Sequence, residues 1–267
     1  MLPKANEVGN NAIQLEVLKG GLYKFSLGDK EEEKVRYNMD GSIDKRHPNK
    51  VAGESSEVYP FTTEEEIKAM LDVFSKRIDE APDENKRQIA ARNKMLFLIG
   101  INVGLRASDL CGLKWSFFFN NDGEFKEFYT LMPKKTRKQK KFVKIFLNQA
   151  VKKAIEIYVN DYPIEDLNDY LFKSRKGDKC ITEISLGRII KDAAQEANIK
   201  KNICSHSLRK TWAYTIWHNA KDKSKALVML QQCLNHSDSI TTMRYIGIMD
   251  EEKKDMYESI DLGLDYM

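Results

Sequence analysis

No stretch of this 267-residue sequence approaches the run of about 20 apolar residues that a bilayer-spanning helix needs. The opening "MLPKANEVGNN" also lacks the basic-then-apolar layout of a secretory leader. Both absences point to a soluble, cytoplasmic chain with no membrane partner. Cysteine is scarce: Cys111, Cys180, Cys204 and Cys233 stand far apart. That scatter excludes a disulfide framework and reads as small buried thiols in a reducing compartment. Carboxylate pairs placed to hold Mg²⁺ are missing as well. The one metal alternative is Cys204-Ser-His206 with Cys233-Leu-Asn-His236, the ligand types of a structural zinc site, but a single residue between the first two suits zinc poorly. No metal is expected.

Formal net charge is only +4, too small for a whole-chain electrostatic argument. Its distribution says more. The stretch "PKKTRKQKKFVK" (133–144) gathers Lys134, Lys135, Arg137, Lys138, Lys140, Lys141 and Lys144 without one acid. Smaller basic groups follow at 173–179 and 200–201, while acids collect at 64–66 and 250–255. A basic face on a near-neutral body is the pattern of a phosphate-backbone binder. A solvated, charged hairpin would read the same way on this evidence alone.

Residues 1–58 are polar and rich in turn signals, such as "NMDG" and His-Pro, and read largely as loop or linker, with a short element near 12–27. Order begins at "FTTEEEIKAMLDVFSKRI". Thr63 and Glu66 form a capping-box pattern, and Ile67, Met70, Leu71, Phe74 and Ile78 follow at helical spacing. A second helix is predicted over 88–103, closed by Gly104 as a left-handed cap, and a short one after a Ser108 cap. Three runs, "FFF", "EFKEFYTLM" and "KFVKIFL", with turn chemistry between them, predict a small antiparallel sheet whose last hairpin tip is the lysine cluster. Helices are then predicted at about 149–161, 183–197, 206–219, 224–234 and 249–260. The fold class is α+β and mostly helical, with residues 59–267 forming one domain that ends in a tail helix.

Three stretches look overspecified for structure. "GLRASDLCGLKW" (104–115) places Arg106 in a turn between helices. "SHSLRKTWA" (205–213) puts His206 and Arg209 one helical turn apart, on one face. "NHSDSITTMRYIG" (235–247) sets His236 nine residues before Tyr245. Each alone has a bland reading: an ion-paired arginine, a capping histidine, a packed tyrosine ring. Together they fit in-line attack of a tyrosine hydroxyl on a phosphodiester. Charge builds on the phosphoryl oxygens, so catalysis is mainly positioning and electrostatic stabilisation. Two guanidiniums can grip those oxygens in bidentate fashion. A tyrosine of pKa about 10 needs a base, which a histidine near neutrality supplies. The departing sugar oxygen needs an acid, which suits a hairpin lysine.

The order Arg, Lys, His-x-x-Arg, His, Tyr resembles the tyrosine recombinase (phage integrase) family over about residues 60–260. "GLRASDL" is similar to the family's first arginine box, "HSLRKTWA" to its His-x-Leu-Arg box, and "LNHSDSITTMRYIG" to its histidine-to-tyrosine box. The resemblance implies that Arg106 and Arg209 hold the phosphate and that Lys135, in "KKT", is the general acid. It further implies that His206 handles the proton, that His236 hydrogen-bonds the scissile phosphate and that Tyr245 is the nucleophile. Asp109 falls at a supporting acidic position. Lys134, Arg137, Lys138, Lys140 and Lys141 are then backbone contacts to double-stranded DNA.

Two departures stand out. Asn235 replaces the usual glycine before the histidine, although asparagine also tolerates left-handed backbone. Residues 1–58 are also too few for the family's DNA-gripping domain of about 100 residues. The reading is a site-specific recombinase that cleaves and rejoins DNA through a covalent 3′-phosphotyrosyl intermediate, for integration or excision of a mobile element or a related rearrangement. It implies no ATP, metal or other cofactor, and a tetramer on DNA formed from free monomers. Three rivals stay open at this point: a type IB topoisomerase, a DNA-binding regulator without catalysis, and a zinc-structured interaction module.

Overall fold

The structure is a computed structural model and describes residues 14–18, 22–26, 57–120, 122–134, 142–175 and 177–260, with backbone alone for 14–18, 22–26 and 249–253. The chain divides into two compact units, Met1–Glu57 and Val58–Met267.

In the first unit, β1 (Gln14–Leu18) pairs antiparallel with β2 (Leu22–Ser26), Gln14 opposite Ser26 and Leu18 opposite Leu22. The short element expected near 12–27 is this hairpin.

The second unit is helical. In α1 (Glu64–Asp79), Thr63 accepts the Glu66 N–H at 3.2 Å, and the Glu66 carboxylate accepts the Thr62 N–H at 2.8 Å. The capping box therefore forms with its second arm reaching one residue further out. α2 (Glu84–Val103) begins four residues earlier than periodicity predicts, because Asp83 accepts the Lys86 N–H at 2.8 Å and caps it. It ends at Gly104, with φ of 61°.

Glycine is required there twice over. Its backbone is left-handed, and a Cβ would lie 2.3–2.7 Å from the Trp212 indole. α3 (Ala107–Cys111) starts at Arg106 without a side-chain cap, so Ser108 is not its cap as expected.

The sheet has two strands, β3 (Phe128–Leu131) and β4 (Val143–Phe146), antiparallel with Leu131 opposite Val143. The expected third strand, "FFF", is instead part of a 3₁₀ turn (Trp115–Phe117) and the residues after it. Phe118 is fully buried and Trp115 nearly so; two inward rings three residues apart match the period of a 3₁₀ turn, whereas a strand alternates.

The remaining helices are α4 (Gln149–Asp161), α5 (Glu183–Glu196), α6 (Ser205–Asn219), α7 (Lys223–Leu234), α8 (Ser239–Ile246) and α9 (Ile248–Glu258). Periodicity missed α8. It is eight residues long, rich in β-branched Ile and Thr, and held by its Asp238 cap, which accepts the Thr241 N–H at 2.6 Å.

The main core joins Phe74 of α1, Leu96 and Phe97 of α2, Ile155 of α4, Ile190 of α5 and Leu208 of α6. Phe61 packs edge-on against Phe97 at 5.5 Å, and its N–H donates to Thr211 Oγ1 at 2.8 Å, tying the chain entry to α6. Each such fully buried side chain contributes about 1.5–3 kcal/mol. A smaller cluster of Ala213, Tyr214, Leu230, Leu234, Ile246 and Ile248 packs α6, α7, α8 and the first residue of α9 together. That second cluster positions the site. Among the described residues no helix is long and apolar enough to cross a membrane.

Candidate functional site

Four segments converge: the α2–α3 turn, the start of α6, the turn after α7, and α8. The turn after α7 is built by backbone rules. Asn235 is left-handed, with φ of 56°. Its N–H donates to Gln232 O at 3.1 Å, and the His236 N–H donates to Gln231 O at 3.0 Å. This is a Schellman closure, which satisfies those two carbonyls and leaves the Leu234 carbonyl for another donor. Asparagine meets the backbone demand that the usual glycine would.

Two guanidiniums supply the donors. Arg106 Nη2 donates to Leu234 O at 3.4 Å, and Arg209 Nη2 donates to the same oxygen at 3.2 Å. Arg209 also donates from Nη1 to Gly104 O at 2.7 Å, so it clasps the α2 and α7 ends to α6. Arg209 is 6% exposed, and burial lowers its pKa, yet an arginine stays charged. Among the described residues neither arginine forms an ion pair. Asp109 and Tyr245 act favourably on Arg209 from nearby, but without a direct ion pair this group of cations is favoured further when an anion arrives.

Tyr245, on α8, sits between the histidines. Its ring meets His206 edge-on at 5.2 Å and His236 at 5.1 Å, while Lys210 Nζ lies 5.5 Å from the ring centroid. The hydroxyl is buried and, among the described residues, makes no hydrogen bond of good geometry. Burial pushes its pKa up to about 12, and the Arg209 guanidinium beside it draws it only partly back. His206 is exposed as a residue, but its ring packs on Tyr245. Partial desolvation, then Arg209, Lys210 and Arg106, hold its imidazole below the usual value. His236 is lowered by burial and then by the two arginines.

Asp109 is 4% exposed and accepts the Lys134 N–H at 2.9 Å, anchoring the base of the lysine-rich hairpin. The Lys134 ammonium lies over Gly112 and lines a cavity with Cys111, Cys180 and Glu183. A separate cleft of about 380 Å³ opens between the hairpin base and the end of α7, lined by Arg106, Pro133, Phe142, Asn235 and His236. Phe142 there is 62% exposed. Lys135, Arg137, Lys138, Lys140 and Lys141 lie outside the described residues.

The zinc alternative is not assembled. Among the described residues no group of three or more His, Cys, Asp or Glu side chains could hold a metal ion. Cys204 instead caps α6, its Sγ accepting the His206 N–H at 3.4 Å.

The structure thus brings Arg106, His206, Arg209, His236 and Tyr245 together, with Asp109 behind the hairpin. Sequence reasoning missed two neighbours. Lys210 is four residues after His206, so helical spacing could have placed it on the same face. Thr242, fully buried on α8, could be found only once α8 was recognised.

A family model described as the phage integrase family matches residues 60–252. The chain belongs to the phage integrase family. The chain is 34% identical over 182 residues to the probable integrase/recombinase YoeC of Bacillus subtilis, covering 67% of this chain and 92% of that one. It is 26% identical to a tyrosine recombinase of Thermosipho africanus, covering 75% of this chain and 61% of that one. With the tyrosine recombinase XerD of Oceanobacillus iheyensis the identity is 29%, covering 64% and 55%. The chain therefore spans a little over half the length of these two.

The fold is that of XerA recombinase, with TM-score 0.54 at 23% identity over 77% of this chain and 66% of that one. It also matches XerH recombinase bound to a palindromic difH substrate, with TM-score 0.54 at 20% identity over 84% and 61%. As a phage integrase family member the chain is of the tyrosine-type site-specific recombinase class, and its mostly helical architecture with a small antiparallel sheet is the one expected.

Proposed function

We propose that this chain breaks and rejoins double-stranded DNA at specific sites through a covalent 3′-phosphotyrosyl bond to Tyr245. The observation that carries the reading is the Tyr245 hydroxyl, buried beside Arg209 and, among the described residues, without a hydrogen bond of good geometry, where Arg106, His206 and His236 also converge. A buried hydroxyl left unpaired costs about 1–3 kcal/mol, a cost that a partner supplied by substrate removes. The XerH neighbour carries DNA on the same fold, which supports DNA as the partner here.

In this mechanism Arg106 and Arg209 turn spare N–H donors to the non-bridging oxygens of the scissile phosphate and stabilise the charge that builds there. With a pKa of about 12, Tyr245 is protonated at neutral pH and must lose its proton as it attacks. His206 has its pKa lowered, is therefore neutral, and can accept that proton. The Tyr245 oxygen bonds to phosphorus as the bond to the 5′ oxygen breaks. Lys135 protonates the departing oxygen, and His236 hydrogen-bonds the phosphate. Reversal by a 5′ hydroxyl from another strand completes exchange without external energy. Asp109 acts indirectly, by fixing where the hairpin starts.

Lys134, Arg137, Lys138, Lys140 and Lys141 contact the DNA backbone. α9 exposes Met256 and Tyr257, with Ile260 just beyond, at 60–76%, an apolar set suited to docking on a neighbour in a tetramer on DNA. Integration or excision of a mobile element is the use we assign. Incubation with genomic fragments, trapping of protein-bound ends and sequencing should return one recurrent site, and two copies of it on separate duplexes should yield recombinant strands. Relaxation of single circles without joint products would count against the reading.

A further inference from the structure

We infer that Thr242 is a positioning residue whose buried hydroxyl holds the His236 imidazole in the Nδ1–H form, leaving Nε2 for the phosphate. The inference rests on the role proposed for His236. Thr242 is fully buried. Its Oγ1 lies 3.1 Å from His236 Nδ1 and 3.3 Å from Asp238 O. A hydroxyl has one hydrogen, and a carbonyl can only accept. Both contacts are satisfied together only when Thr242 donates to Asp238 O and His236 Nδ1–H donates to Thr242 Oγ1.

A coupling follows from the placement of Thr242. It lies on α8 three residues before Tyr245, so the two are neighbours on one face. The hydrogen bond therefore ties the phosphate-side histidine to the helix that carries the nucleophile, and displacement of α8 would release both.

The assignment also fixes the chemistry of Nε2. Neutral His236 in this form offers a lone pair at Nε2, so it donates to a phosphate oxygen only as imidazolium. The groups facing it are Arg209 from α6, Arg106 from the α2–α3 turn, Asp238 ahead of α8, Tyr245 from α8, His206 from α6 and Cys233 at the end of α7. Its proton uptake should accompany arrival of the phosphate anion.

The test uses side-chain ¹⁵N–¹H correlation spectra of the full chain, with His236 assigned from the His236→Gln spectrum. Wild type and Thr242→Ser should show the Nδ1–H form, and Thr242→Val a shift toward Nε2–H. In parallel, Thr242→Val should slow single-turnover cleavage by up to about 100-fold and move the alkaline limb of its pH profile, with DNA affinity unchanged and Thr242→Ser restoring the rate. A wild-type spectrum showing Nε2–H overturns the inference, whatever the enzyme does. So does a valine variant with unchanged form and rate. If Thr242→Val does not fold, the wild-type and serine spectra still decide. The spectra need no catalysis, so they separate this inference from the recombinase reading.

Discussion

Arg106 and Arg209 donate to one oxygen, the carbonyl of Leu234, at 3.4 and 3.2 Å. That shared acceptor brings two distant chain segments, the α2–α3 turn and α6, to one point. The arginines are unequal partners, because Arg209 also holds Gly104 O at 2.7 Å and is buried, whereas Arg106 is half-buried with one long bond. Arg209→Met should therefore unpair the Gly104 carbonyl, leave the Leu234 carbonyl with only the long Arg106 bond, and destabilise the fold by about 1–3 kcal/mol. Arg106→Met should melt close to wild type yet still lose strand cleavage. Thermal melts beside cleavage assays check this; an Arg106 variant less stable than the Arg209 variant contradicts it.

Lys135, and not Lys134, should protonate the leaving oxygen. The Lys134 backbone is fixed by Asp109, and its ammonium lies over Gly112, among residues other than those of the cleft beside Arg106 and His236. Loss of a general acid slows a reaction by about 10²–10⁴. A 5′-bridging phosphorothioate releases a thiolate that needs no proton, so it should restore cleavage by Lys135→Ala. Lys134→Ala should cleave ordinary DNA nearly normally and differ mainly in salt dependence. Sulfur rescue of the Lys134 variant alone would place the acid one residue earlier.

Acid should destabilise the free protein through its site histidines. Burial and the surrounding cations lower the pKa of both His206 and His236. Folded protein then binds these protons less readily than unfolded chain, so stability falls as pH drops below the unfolded value of about 6.5. The lowered carboxylates, Glu65, Glu66, Asp83 and Asp238, act in a more acidic window. The thermal midpoint should drop between about pH 7 and 5.5, and replacing both histidines with asparagine should flatten that drop. A wild-type midpoint that rises on acidification contradicts the sign.

Truncation after Ile248 should leave the monomer folded and weaken assembly on DNA. Ile248 itself is fully buried in the second core cluster and is retained, whereas Met256 and Tyr257 on α9 and the following Ile260 are exposed. Terminal elements exchange between protomers at low cost. Equal melting with loss of the slowest-migrating DNA complex is the expected result; a truncated chain that unfolds shows that the tail packs on its own domain.

Much of this was legible in the sequence, because the strongest signals were local and repeated. The stripe from Ile67 to Ile78 and the glycine at 104 fixed where α1 runs and where α2 ends. The spacing of His206 from Arg209 gave one wall of the site. The convergence of Arg209 on the Leu234 carbonyl was not legible, since it depends on which carbonyl a Schellman turn leaves unpaired. Nor was α8, whose cap and packing outweigh its weak helix propensity. "FFF" misled because apolar content was read as a strand where alternation was absent.

The central claim is that Tyr245 is the nucleophile. The decisive measurement is mass spectrometry of the peptide linked to a nicked suicide duplex carrying the chain's own recombination site, with a chelator present throughout. The account predicts one DNA adduct, through a 3′ phosphate on Tyr245, and none with Tyr245→Phe although that variant still binds the duplex. An adduct on any other residue, or undiminished cross-linking by the phenylalanine variant, would contradict it.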